Sequence, residues 1–211
     1  MIDYGGSNLR SVQKALEAVG ARVRVTDDPA VVREATRLVL PGVGAFGEGM
    51  AALRAGGLAA ATVAAVDAGA TLLGICLGMQ LLFDESEEMG QHAGLGLLAG
   101  RVVRFPAGLS HDSRPLKVPH VGWNEIEPAA RHAPGVHALL DGIVSGAHAY
   151  FVHSYVCVPR DAADILAYAD YGGPFAAAVG RGRVFGYQFH PEKSQRVGLR
   201  LLRNYVTMET A

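Results

Sequence analysis

Short apolar runs alternate with helix-period stretches through the first hundred residues, and this alternation constrains the fold more than any other feature. Leu9, Val12, Leu16 and Val19 recur every three to four residues, the spacing of one helix face, with Asn8 the expected cap and Gly20 the stop. Arg22–Val25 alternates like a half-buried strand, and Leu38–Leu40 reads as a buried strand ending at Pro41-Gly42. An Ala-rich helix is expected from Gly47 to Ala68, loosened around Gly56-Gly57. A strand over Thr71–Ile75 and a helix beginning over Leu77–Phe83 follow. This β-α-β-α-β order implies parallel strands with helices packed across them.

After Gly100 the pattern turns strand-rich: Arg101–Phe105, Tyr150–Val158, Ile165–Ala169, Phe175–Val179 and Val184–Phe189, closed by a helix over Val197–Val206. Pro106–Pro119 and Glu127–Ala147 read as loops. No repeat or linker divides the 211 residues, so one domain over 1–211 is expected. The expected class is α/β, an open, mostly parallel mixed sheet flanked by helices.

Charge and composition narrow the function. Nineteen basic against 20 acidic residues leave no electrostatic footprint for nucleic acid. Ala68–Phe83 is largely apolar, but it is shorter than the roughly 20 residues of a membrane span and is broken by Cys76 and Gln80. Asp3 stands where a signal peptide would be basic. Two cysteines, Cys76 and Cys157, are too few for a disulfide framework, so a reducing cytoplasm is the expected compartment.

Gly74-Ile-Cys76-Leu-Gly78 lies between a predicted buried strand and a helix, the context of a nucleophile elbow with Cys in place of Ser. A sharp strand-to-helix turn strains the nucleophile's backbone, and its neighbours must lack Cβ to avoid collision. A helix starting at Leu77 would aim its positive end at the sulfur and favour thiolate. The alternative is a buried structural thiol, the usual state of a lone cysteine and the expectation for Cys157.

A Cys nucleophile needs a base, and the base needs an orienter. Phe189-His190-Pro191-Glu192 supplies both at a strand end. Pro191 holds His190 extended, and residues i and i+2 of an extended segment face the same way, which would set Glu192 beside the imidazole. Alone, this motif would read as a surface turn.

Gly42-Val-Gly44-Ala-Phe-Gly47 matches the dinucleotide fingerprint G-x-G-x-x-G. The acidic residue expected about 20 positions on should close a strand. Asp67 instead closes a predicted helix. The loop therefore reads as a source of backbone N–H groups for an oxyanion, and glycine on both sides of Val43 makes a peptide flip there cheap. The seven histidines other than His190 show no metal-ligand spacing, and no metal or cofactor is expected. Ser154 follows His153 but has no elbow. Asp84–Glu88, four acids in five residues, reads as a solvated helix end or loop.

Gly74–Gln80 and Phe189–Ser194 resemble the two signatures of the class I (triad) glutamine amidotransferases. Ile2–Gly5 with Asn8–Ser11, Pro41–Gly44, Pro119–Asn124 and Tyr150–Tyr155 are similar, in order, to the glutaminase subunits of imidazole glycerol phosphate synthases within that class. The resemblance implies Cys76 as nucleophile, His190 as base and acid, and Glu192 as orienter. It implies an oxyanion hole at Gly42, Val43, Gly44 and Leu77, and glutamine contacts at Gln80, Ser154 and Tyr155. Pro119, Trp123, Tyr150 and Lys193 would face a β/α-barrel cyclase subunit as a heterodimer in histidine biosynthesis. Glutaminase of another pathway, a nucleotide-binding module and a silent interaction protein are the alternatives; Pro119–Asn124 and Lys193 argue against the first. Met1 stands almost on the first motif, so the first strand is expected to be a stub, for which an upstream start is one explanation. Ser7 replaces the family's usual glycine in the following turn.

Overall fold

The computed structural model of the chain describes residues 1–5, 8–111, 113–129 and 136–209. Ser7 and the middle of the predicted 127–147 loop lie outside these residues. Helices α1 (Leu9–Ala18) and α2 (Pro29–Arg33) precede β1 (Arg37–Gly42). The predicted Gly47–Ala68 helix is two helices, α3 (Phe46–Ala55) and α4 (Leu58–Asp67), bent by 84° at Gly56-Gly57. Gly57 takes φ +69, a left-handed conformation that glycine adopts without penalty. No single helix among the described residues is long and apolar enough to cross a membrane.

Next come β2 (Thr71–Cys76) and α5, which is a single turn (Leu77–Gln80) rather than the longer helix expected through Phe83. The returning segment explains the stop: Leu95 N–H donates to Leu81 O, and Leu97 and Leu98 N–H donate to Leu82 O, so the chain turns into β3 (Phe83–Ser86). Then follow β4 (His92–Ala93), β5 (Leu98–Arg104), the small hairpin β6 (Ser110–His111) and β7 (Arg114–Pro115), and β8 (His120–Pro128). Helix α6 (Val136–Leu139) leads to β9 (Ala147–His153) and β10 (Tyr155–Pro159). The chain ends with β11 (Ile165–Asp170), β12 (Pro174–Arg181), β13 (Val184–Tyr187) and α7 (Gln195–Thr207).

The main sheet has seven strands in the order β1-β2-β13-β12-β11-β8-β9. As expected it is mixed and flanked by helices, but it is not mostly parallel: only β1-β2 and β2-β13 pair parallel, and the other four pairings are antiparallel, because β11, β12 and β13 follow one another through short turns rather than helical crossovers. Side chains alternate across it. Leu38, Leu40 and Leu72 enter a core with α3, α4 and α5, whereas Val39, Leu73 and Ile75 enter a second core with α1 and α7. A sheet covered on both faces needs near-continuous apolar strands, which β1 and β2 supply.

Three further expectations change. Arg22–Val25 forms no strand; only Thr26 bridges to Ile2, and the first strand is reduced to that bridge. The predicted Tyr150–Val158 strand is divided at Ser154, because β9 pairs with β8 while β10 pairs with β5 in a separate four-stranded sheet. Of the Asp84–Glu88 acids, Glu85 and Glu87 are exposed as expected, but three also bind backbone: Asp84 accepts from Gly100 N–H, Glu87 from Arg104 N–H and Glu88 from Phe46 N–H.

The parallel core closes tightly around its glycines. A Cβ on Gly78 would overlap the Leu40 carbonyl, and one on Gly74 would stand 2.5 Å from the Gly78 carbonyl oxygen. Both obstacles are backbone. Gly78→Ala should lower unfolding free energy by about 1–3 kcal/mol, read as a lower urea midpoint at unchanged slope; a wild-type midpoint would show that the β1 backbone yields.

Candidate active site

Cys76 ends β2 and takes φ 54, ψ −111, a rare conformation for a residue with a side chain. The elbow expected from the glycine spacing is present, with Gly74 and Gly78 giving the turn its room. Since α5 has one turn, aligned helix dipoles contribute less at the sulfur than a long helix would.

The β1–β2 register sets Gly42 directly opposite Cys76, and β13 pairs Tyr187 with Ile75. Three residues beyond Tyr187, His190 arrives at the same sheet edge. It is extended (φ −97, ψ 97), as the following proline requires, but Glu192 lies in a 3₁₀ turn over Pro191–Lys193 rather than on an extended segment. That turn still brings Glu192 Oε1 to 2.8 Å from His190 Nδ1, with both side chains almost fully buried. Burial alone would lower the imidazole pKa, but the Cys76 sulfur and the Glu192 carboxylate outweigh it and raise the value to about 9. His190 Nε2 is buried without a partner in hydrogen-bond geometry, as is Glu192 Oε2.

Cys76, His190, Leu77, Val43, Gly44, Gln80, Ser154, Tyr155 and Pro119 line one cleft of about 260 Å³. Gly42 lies behind it, where a Cβ would strike the Tyr4 hydroxyl; Gly44 adopts φ +100 with open space beside it. Trp123, Tyr150 and Lys193 form a separate cluster outside the cleft. Trp123 and Tyr150 face each other across β8 and β9 with ring centroids 6.0 Å apart, and Lys193 Nζ lies 5.5 Å above the Tyr150 ring. Pro119 lines the cleft, whereas the other three residues expected at a partner surface do not. A larger cavity of about 410 Å³, beside Met1, Arg24 and Tyr205, holds no cysteine or histidine.

Four contributors escaped the sequence reading. Glu88 lines the cleft and accepts from Phe46 N–H at 2.6 Å, so a protein carboxylate already occupies the start of α3 where a dinucleotide phosphate would sit. Gln188 is fully buried; its Oε1 accepts from Gln80 Nε2 at 3.1 Å while its Nε2 stands 3.9 Å from Cys76 Sγ. His153 bonds to Tyr155 O at 2.8 Å and to His120 at 3.2 Å. Burial lowers the pKa of His153 to about 3 and of His120 to about 4, so both are neutral near pH 7. Asn8 Nδ2 donates to Glu192 Oε1 at 2.6 Å instead of capping α1. Glu88 lies in the acidic cluster, Asn8 in the Asn8–Ser11 match and His153 in the Tyr150–Tyr155 match, but the part each plays here depends on tertiary contacts, as does that of Gln188. Among the described residues no group of metal-ligating side chains converges. Cys157 is a buried free thiol, its pKa raised by burial.

The family model of glutamine amidotransferase class-I matches residues 1–208. The chain is 56% identical over 208 residues to the imidazole glycerol phosphate synthase subunit HisH of Syntrophotalea carbinolica, covering 99% of this chain and 98% of the relative. It is 52% identical to the same-named protein of Geobacillus kaustophilus, covering 100% and 96%. Among solved structures, a glutamine amidotransferase aligns with TM-score 0.74 at 20% identity over 98% and 96% of the two chains. PurLQS from Thermotoga maritima aligns with TM-score 0.72 at 21% identity over 97% and 95%.

The raised His190 pKa has a consequence for stability. A histidine raised from 6.5 to about 9 on folding stabilises the protein fully below pH 6.5, and that contribution is lost as pH climbs through about 9. Glu192→Gln should therefore be less stable than the wild type by the largest margin below pH 6.5, with the gap narrowing above pH 9. Urea unfolding of both proteins at each pH measures it, and a pH-independent gap would show that the carboxylate does not hold an imidazolium.

Proposed function

The chain belongs to the class-I glutamine amidotransferase family, and we propose that it hydrolyses L-glutamine to glutamate and ammonia as the glutaminase subunit of an imidazole glycerol phosphate synthase. The observation that carries the reading is the buried Cys76, His190, Glu192 arrangement at the edge of a cleft large enough for a small polar substrate. The chain acts as one domain in this reading.

Cys76 thiolate attacks the side-chain amide carbon of glutamine, and the carbonyl π electrons move to oxygen. Backbone N–H groups of Leu77 and of the Gly42–Gly44 loop receive that oxyanion. As the carbon–nitrogen bond breaks, the His190 imidazolium gives its Nε2 proton to the departing nitrogen, and ammonia leaves a γ-glutamyl thioester. His190 then takes a proton from water, which attacks the thioester and releases glutamate and the Cys76 sulfur. Glu192 holds Nδ1 protonated throughout, which keeps Nε2 the exchanging nitrogen.

Substrate selection follows from the cleft's charges. Glutamine is a zwitterion, and Glu88 offers a carboxylate oxygen not engaged by Phe46 N–H for its α-ammonium. Gln80 has its amide nitrogen held by Tyr155 O and Gln188 Oε1, which leaves its carbonyl oxygen for the substrate. Ser154 and Tyr155 form the opposite wall. Ammonia is proposed to pass to a β/α-barrel cyclase subunit in histidine biosynthesis, docked on the Trp123, Tyr150, Lys193 surface with Pro119 at its edge. Two buried free thiols fit a reducing cytoplasm.

Cys76→Ser should reduce ammonia release on the order of 10³-fold or more while leaving cyclase binding intact; unchanged release would exclude Cys76 as the nucleophile. Glu88→Gln keeps an acceptor for Phe46 N–H but loses the charge, and should raise KM for glutamine about tenfold or more with a smaller change in kcat. The Val43 peptide is proposed to flip between two oxyanion-hole states. Gly44→Ala has space for its Cβ but disfavours φ +100, so it should blunt stimulation by the cyclase and its ligand; full stimulation would end that idea.

A further inference from the structure

Asn8 gives up two local preferences for one remote contact. It occupies the cap position of α1, where an Asn side chain bonded to the first turn is stabilising, yet no such bond forms. Its carbonyl still starts the helix, accepting from Ser11 and Val12 N–H. Its backbone is left-handed at φ 76, ψ 7, which costs a residue with a side chain energy but costs Asn less than most. This conformation accompanies a side chain whose Nδ2 donates to Glu192 Oε1 at 2.6 Å, across 184 positions of sequence.

Glu192 has few other restraints. Its side chain is fully buried, Oε2 has no partner, and His190 Nδ1 shares Oε1 with Asn8. A carboxylate held by one donor rotates about its terminal bond and offers either oxygen. Two donors converging on the same oxygen from different elements fix the plane of the group, and with it the imidazole that leans on it. The reacting Nε2 of that imidazole is then aimed by the start of α1, an element that does not touch the cleft.

We propose that Asn8 is a positioning residue of the glutaminase site, fixing the Glu192 carboxylate so that it holds His190 in line with Cys76. This rests on the triad reading above. Asn8 touches neither the cleft nor the reacting atoms, so its effect is on kcat and not on glutamine affinity. The charged and titratable groups that act on His190 are Cys76, Glu192 and, from β9, His153.

The test uses the full chain, alone and with its matching cyclase. Asn8→Gly keeps the left-handed backbone comfortable and removes only the side chain. Asn8→Asp keeps size and tolerance of that conformation but replaces the donor by a second carboxylate facing Glu192. Both should lower kcat for glutamine hydrolysis about 10–100-fold with KM within about twofold, the scale of a misaligned reacting group. In Asn8→Gly the His190 ring, followed by NMR, should titrate below its wild-type value. Asn8→Asp should regain activity as pH falls and one proton is shared between the two carboxylates. Wild-type kcat in both variants, or lost kcat with an unmoved His190 titration in Asn8→Gly and no pH-dependent recovery in Asn8→Asp, overturns the proposal while leaving the triad intact. Continued ammonia release by Cys76→Ser would instead overturn the triad reading itself.

Discussion

The active site depends on the register of three parallel strands. Pairing Gly42 with Cys76 and Tyr187 with Ile75 brings three sequence-distant chain ends to one sheet edge. The pairing holds Cys76 close to His190 only because backbone passes backbone without Cβ atoms between: Gly78 lies against the Leu40 carbonyl and Gly74 against Gly78. Tight packing in a low-dielectric core also makes the polar groups there costly to leave unmatched. The same constraint that builds the elbow therefore dictates how the buried side chains around it must bond.

Those bonds form a continuous set behind the cleft. Gln188 joins the neighbourhood of Cys76 to Gln80, Gln80 joins Tyr155 O, and His153 joins Tyr155 O to His120. Both histidines are kept neutral by burial among Phe105, Phe151, Phe175 and Tyr171, so they add no competing positive charge beside His190. Three buried atoms stand outside this scheme and near the chemistry: His190 Nε2, Glu192 Oε2 and the Tyr4 hydroxyl. An unmatched Nε2 on a histidine whose pKa is raised to about 9 leaves an N–H free to donate into the cleft.

Where sequence reasoning went astray, a long-range partner had overridden a local preference. Asn8 has cap chemistry, and Glu192 takes its side chain instead. Arg22–Val25 has strand alternation, but alternation needs a hydrogen-bonded neighbour to become a strand. Tyr150–Val158 is one apolar run serving two sheets, with Ser154 at the division and at the cleft wall. The acids after Phe83 look solvated because sequence cannot show that the backbone N–H groups of Phe46, Gly100 and Arg104 come to meet them.

By itself the sequence determined the local geometry on which the proposed chemistry rests. Glycines spaced around Cys76, and Pro191 between His190 and Glu192, act through steric rules that hold within a few residues, so the elbow and the base with its orienter were legible without a fold. Tertiary structure alone decided how those parts face one another and what supports them. The 2.8 Å contact of His190 with Glu192 runs through a 3₁₀ turn, Glu88 reaches the cleft by capping a helix 42 residues away, and Asn8 meets Glu192 across nearly the whole chain. Such contacts arise because buried polar atoms must find partners wherever packing delivers them, and no local pattern of residues encodes which partner that will be.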